Sequence, residues 1–189
     1  MFRRVIAVSL MFATSTVFAD TIDVNLSNRS AQLKYAVPSG VAGKSELFAG
    51  FMYNDQSSQF AEAGLLVMNE EGSVPGLSIG VNAKAVGASL SKISLNRKVV
   101  SGVALGAQVR FEVPSDRRFA FVAEYHYAPK IISFGDADHF YQGALRAEYA
   151  MSPLTQIYVG ARTTQFVMIN NQPNGVIDEG AHIGVRLSF

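Results

Sequence analysis

The chain has no cysteine and no tryptophan, and only 16% of its 189 residues are charged. Without cysteine there is no disulfide framework, no thiol nucleophile and no thiolate zinc site. A soluble domain carries about 25% charged residues, so this chain is short of charge. Together with a hydrophobic content of 49%, that excludes a disordered polypeptide, which needs low hydrophobicity and high net charge. A formal net charge of +1 excludes the basic surface of a nucleic-acid binder. After the first residues there is also no apolar run of roughly 18 residues, the least that a membrane-spanning helix requires. Helical periodicity is scarce, and the length suits a single domain.

What is present begins with an export pattern. Arg3 and Arg4 precede the apolar stretch Val5 to Ala13, and Val17-Phe18-Ala19 offers a cleavage site. Residues 1–19 therefore read as a secretory signal peptide. They hold two of the 16 basic residues and none of the 15 acidic ones, so cleavage turns the net charge from +1 to −1. Residues 20–189 form the expected domain.

That domain alternates with period two, the signature of half-buried strands. From Val99 to Val113 the odd positions are greasy, while Gly102, Ala104, Gly106, Gln108, Arg110 and Glu112 lie between them. Seven further segments divide the same way, ending with Ala181, Ile183, Val185, Leu187 and Phe189 against His182, Gly184, Arg186 and Ser188. Two weaker stripes lie upstream, Ile22-Val24-Leu26 and Leu33-Tyr35-Val37, with a parity slip at Asn28-Arg29. A tight hairpin there gives ten strands. A bulge gives nine, against the even-number rule of bacterial outer-membrane barrels. Eight strands remain if both weak stripes stay outside the barrel.

Soluble barrels alternate too, so the character of each face decides. Here the polar face is mostly Gly, Ala, Ser and Gln with isolated charges, and the greasy face is almost free of charge. Glu179 is the clearest exception. A central Arg or Lys facing hydrocarbon costs about 2–4 kcal/mol, and lipid tolerates no open sheet edge. The expectation is a closed antiparallel transmembrane β-barrel in the cell outer membrane, all-β, with outer-membrane lipid against its wall. The charges expected to line its lumen are Glu62, Lys84, Arg110, Glu112, Glu124, Arg146, Glu148, Arg162 and Arg186.

Aromatic residues fall at strand ends on the greasy stripe. With a periplasmic N-terminus, Phe111, Phe119, Tyr149 and Phe189 lie at the periplasmic interface. Phe51, Tyr53, Tyr125, Tyr127 and Tyr141 lie at the outer one. Two girdles of this kind mark the two interfaces of a barrel. Short turns with Pro or Gly, such as Pro38-Ser39-Gly40 and Pro114 to Arg117, are expected on the periplasmic side. Longer links at Gly87 to Arg97, Pro129 to His139 and Asn170 to Val176 are expected outside. The terminal aromatic Phe189, behind Leu187, Val185 and Ile183, suits edge-on recognition of the last strand by barrel-assembly machinery.

Several patches resemble the YfaZ family of outer-membrane proteins. They are Glu124-Tyr125-His126-Tyr127-Ala128-Pro129, Gly80-Val81-Asn82-Ala83-Lys84-Ala85, Gly160-Ala161-Arg162, and Gly184-Val185-Arg186-Leu187-Ser188-Phe189. The sequence departs from the family in lacking Trp and in carrying Arg186 where Gly is common. The resemblance implies a secreted barrel and adds no catalytic residues.

In a bore this narrow the inward charges must meet as ion pairs, because lone buried charges are too costly. A structural or surface-interaction barrel with a plugged, charge-lined lumen is the leading expectation. A narrow ion or small-solute pore comes second, and a lipid-modifying or proteolytic outer-membrane enzyme third. The third reading rests on Asp136, Asp138 and His139, an Asp-x-Asp-His cluster on an outer link. No Gly-x-Ser-x-Gly elbow or His-Glu-x-x-His motif is present. No enzyme activity, cofactor or metal is expected, nor a nucleic-acid partner, and a monomer is.

Overall fold

The computed structural model describes residues 20–41, 44–69, 74–91, 98–170 and 172–189. The expected signal peptide lies outside the described residues, as do residues 92–97 and 171 of two expected outer links. The described strands are β1 (Thr21–Ser27), β2 (Ser30–Pro38), β3 (Lys44–Asn54), β4 (Gln59–Met68), β5 (Leu77–Leu90), β6 (Lys98–Glu112) and β7 (Phe119–Ala128). A short 3-10 turn η1 (Lys130–Ile132) follows, then β8 (Ser133–Gly135), β9 (Ala137–Ser152), β10 (Thr155–Met168) and β11 (Gly175–Ser188).

Each long strand pairs antiparallel with its neighbour in sequence, and β11 returns to β1 from Thr21↔Ser188 to Ser27↔His182. The β5–β6 pairing completes the ring, so ten strands close a barrel and no long edge is left unpaired. The three-residue β8 stands outside this count. It pairs with β6 at Val100 to Gly102, above the point where β7 ends. The even count follows from the hairpin expected at Asn28-Arg29: Ala31 pairs with Leu26, and Arg29 and Ser30 donate backbone N–H groups to Ser27 Oγ. The eight-strand alternative is thereby excluded.

Asp20, the first described residue, and Phe189 meet at one mouth, called here the terminal mouth. The other, the loop mouth, carries the β1–β2, β3–β4, β5–β6, β7–β9 and β10–β11 connections. The strands run further toward the loop mouth than the sequence suggests. Part of the expected Gly87 to Arg97 link is strand through Leu90, and the Pro129 to His139 link contains η1, β8 and the start of β9. The reason is burial: Ala88, Leu90, Val100 and Ala137 turn into the bore there and are covered. Loop and turn lengths therefore differ less between the two mouths than expected.

Sidedness is fixed by exposure. Val81, Leu105 and Ile183 are 63%, 60% and 61% exposed on the outer wall, whereas Arg162, on the inner wall, is 6% exposed. An apolar outside around a polar inside, closed without an edge, is the outer-membrane type of barrel.

Candidate functional site: the bore of the barrel

The inner wall is built from glycine seats. A Cβ on Gly64 would stand 2.6 Å from Lys84 Cβ, and one on Gly160 would stand 2.8 Å from Arg146 Cβ. Gly106 likewise makes room for the His126 ring, and Gly184 for the Tyr158 phenol. Each seat lets a long side chain from the adjacent strand lie across the bore instead of crowding the wall.

The nine charges expected inside all project inward, and they are joined by three more, Asp23, Lys34 and Asp178. Cations (Lys34, Lys84, Arg110, Arg146, Arg162, Arg186) balance anions (Asp23, Glu62, Glu112, Glu124, Glu148, Asp178) one for one. Glu148 is the hub: Arg146 Nε donates to it at 2.6 Å, Arg110 Nη1 donates to it, and Arg186 Nη1 lies at 3.7 Å. Glu62 accepts from Lys84 Nζ at 2.7 Å and from Gln32 Nε2 at 3.2 Å, with Lys34 at 4.0 Å. Arg162 donates to Asp178 Oδ2 through Nε at 2.9 Å and Nη2 at 2.6 Å, and also to Gln32. Arg186 donates to Asp23 at 3.0 Å, and Asp23 also accepts from the Tyr158 hydroxyl. Arg146 stands 3.8 Å from Glu124. Such a network compensates the desolvation of its charges only because nearly every one has a partner.

The added charges were legible. Asp23 sits between Ile22 and Val24 of an outward stripe, and Lys34 between Leu33 and Tyr35. Asp178 follows by running the β11 parity back from His182. Asp23 and Lys34 are obscured because both upstream stripes are weak, and Asp178 because Ile177 and Asp178 are adjacent and both buried, which breaks the alternation there.

Toward the loop mouth the bore changes character. Phe60, Phe140 and Phe166 are fully buried, with ring centroids 5.9 Å apart for Phe60–Phe140 and 4.7 Å for Phe140–Phe166. Met52, Leu90, Val100, Met168 and Ile177 complete a cluster that reaches across from several walls. The cavity within the ionic layer, between Asp23, Glu62, Lys84, Arg146 and Arg162, is about 30 Å³. Nearby, Nδ1 of His126 and of His182, Oδ1 of Asn25 and of Asn82, and Oγ1 of Thr164 are buried without a protein partner.

The structure sets the interface aromatics on the outer wall. Phe51, Tyr53, Phe111, Phe119, Tyr125, Tyr127 and Phe189 are exposed, and Tyr141 and Tyr149 half-buried. At the terminal mouth Phe119 packs on Tyr149 at 4.8 Å. In the adjoining turn Arg118 donates to Asp116 at 2.8 Å and 3.0 Å, which holds the Asp116 carboxyl below the usual range. The rim cluster does not converge. Asp136 pairs with Lys98 at 2.9 Å, while Asp138 pairs with His139 at 2.9 Å and Lys130 at 3.4 Å. No group of three or more potential metal ligands forms among the described residues.

The family described as YfaZ precursor matches residues 1–189. No curated protein matches the chain. Among solved structures, the KdgM porin is similar at a TM-score of 0.44 and 13% identity, over 89% of this chain and 99% of that one. The outer membrane channel DcaP of Acinetobacter baumannii is similar at 0.43 and 11% identity, over 88% of this chain and 54% of that one.

Proposed function

This chain belongs to the YfaZ family, and from that premise and its outer-membrane barrel fold we propose a closed barrel with a structural or surface-interaction role. The observation that carries this reading is the pairing of two side-chain layers in series along the bore. An apolar cluster centred on Phe140 lies across the loop half of the bore, and a charge-balanced network around a cavity of about 30 Å³ lies across the other half. On this reading a hydrated ion entering from the terminal mouth meets paired charges, then a stack of buried rings. Hydrophobic constrictions of this kind gate by excluding water.

The remaining parts fit the same picture. The terminal mouth faces the periplasm, the aromatic residues at the strand ends sit at the two membrane interfaces, and the rim acids are committed to lysines and His139 instead of to catalysis. The last strand, with Ile183, Val185, Leu187 and Phe189 exposed along one stripe, offers the assembly machinery a regular apolar face. Planar-bilayer recording of the purified barrel tests the proposal. Electrically silent insertion supports it, and steady open conductance replaces it with a narrow pore.

A further inference from the structure

The ionic layer encloses a cavity of about 30 Å³, above the roughly 10–15 Å³ that one water needs. Asn25 and His182 are both part of its lining. Asn25 on β1 pairs with Gly184 on β11, two residues along from His182, so the two side chains enter the bore from adjacent strands. They are 5% and 4% exposed. The Asn25 amide is oriented by a neighbour on β2, because its Nδ2 donates to Gln32 Oε1 at 2.9 Å. That leaves Oδ1 as the free end, and it has no partner among the described residues. His182 Nδ1 has none either. A buried polar atom without a hydrogen bond keeps its full desolvation penalty, and here two such atoms belong to one small cavity.

The lining limits what can satisfy them. Five cations and three carboxylates border the cavity, and two further carboxylates, Asp178 and Glu148, stand on Arg162 and Arg146. These charges balance one another, so no ion is required. An amide oxygen only accepts, and Asn25 Oδ1 therefore repels an anion. A cation would have to settle among five positive side chains. A small neutral molecule meets neither objection, provided that it donates to Asn25 and either donates to or accepts from His182, whose Nδ1 does one or the other with its tautomer. We propose that the cavity holds one confined water, bound between Asn25 Oδ1 and His182 Nδ1. The ionic layer is then hydrated from within, whereas the ring cluster offers a water no polar partner. The site does not depend on whether the bore conducts.

The test is hydroxyl-radical labelling by X-ray radiolysis of water, applied to the folded barrel in detergent and read by mass spectrometry. A radical formed from a bound water oxidises the side chain it touches, even where bulk water does not reach. His182 is expected to be oxidised. Met52, fully buried in the ring cluster, is expected to stay intact although a thioether reacts faster than an imidazole. Exposed Met151 reports the dose. Asn25→Leu is expected to lose most of the His182 label, and Asn25→Asp, which keeps an acceptor in place, to retain it. Heat-shifted gel migration establishes that each variant is folded. If neither folds, the contrast between His182 and Met52 in the parent decides alone. An unlabelled His182 in the parent overturns the proposal, as does a label unchanged in Asn25→Leu. Oxidation of Met52 alongside His182 also overturns it, because water then runs through the bore instead of being held at one place. Conductance is recorded separately, so a leaking barrel and a dry cavity give different results.

Discussion

The two halves of the bore solve one problem by opposite means. Near the terminal mouth the space is filled by long charged side chains whose desolvation is offset by pairing. Near the loop mouth it is filled by rings and aliphatic chains that need no partner. The boundary runs through a register shift on the β10–β11 ladder, where Thr164 pairs with Asp178 but Gln165 pairs with Val176. Ile177 is the extra residue, so Ile177 and Asp178 are adjacent in sequence and both are buried inside. Ile177 joins the ring cluster, while Asp178 takes Arg162 and accepts from Ser27 Oγ at 2.7 Å. A bulge thus lets one strand serve both layers. The lesson is that facing inward is not one environment: height along the axis decides which chemistry an inward residue must have.

Substitutions that exchange these chemistries break the comparison most sharply. Phe140→Ala, at the centre of the ring cluster, is expected to destabilise the barrel by about 3–5 kcal/mol, measured by denaturant unfolding in a fixed detergent. Combined with Phe166→Ala it is expected to create conductance in planar bilayers where the parent is silent. If the double variant stays silent, the ionic layer alone seals the bore.

Glu148→Gln leaves three arginines around an uncharged amide. Removing one partner from a buried ion pair costs about 3–5 kcal/mol, and the shared burden on Arg110, Arg146 and Arg186 places this variant near the lower end. Unfolding under the same conditions measures it. A cost as small as that of an exposed pair would mean that the ionic layer is wet and its charges are screened. Gly106→Ala probes the seats instead of the charges. The added Cβ meets the His126 ring and the Tyr125 carbonyl, and overpacking of this kind costs about 1–3 kcal/mol.

The smallest expected effect lies outside both layers. Arg118 lowers the Asp116 carboxyl below its ordinary 3.8, so the contribution of this turn pair is complete above that value and fades as pH falls through the lowered one. Comparing Asp116→Asn with the parent across pH 7 to pH 2 is expected to show a slight difference at neutrality that vanishes in acid. A difference that grows in acid would reverse the sign.

Sidedness was legible in the sequence because period two is all that an inside and an outside require. The run from Val99 to Val113 separates Leu105 from Arg110 without any knowledge of the third dimension. The hairpin at Asn28-Arg29 was legible as a parity slip, and with it the even strand count. The nine charges were readable for the same reason, and Asp23, Lys34 and Asp178 follow from the same rule applied to weaker stripes. The ring cluster was not legible. Phe60, Phe140 and Phe166 come from three strands, and nothing local tells a phenylalanine that meets other rings across a bore from one that meets lipid. Only the register of β9 with β7 and β10 sets Phe140 level with Ala128 and Phe166.

The place where β1 meets β11 carries one further consequence. Asp23 and Arg186, which clasp each other there, are separated by nearly the whole described chain. Contacts of such long sequence separation bear the largest loop-closure entropy and form late. Until the final strand arrives, the growing sheet has two raw borders facing hydrocarbon or water. The clasp therefore works as a zip fastener's last tooth: the molecule becomes a tube in one late event, and a copy truncated before β11 would remain an open ribbon.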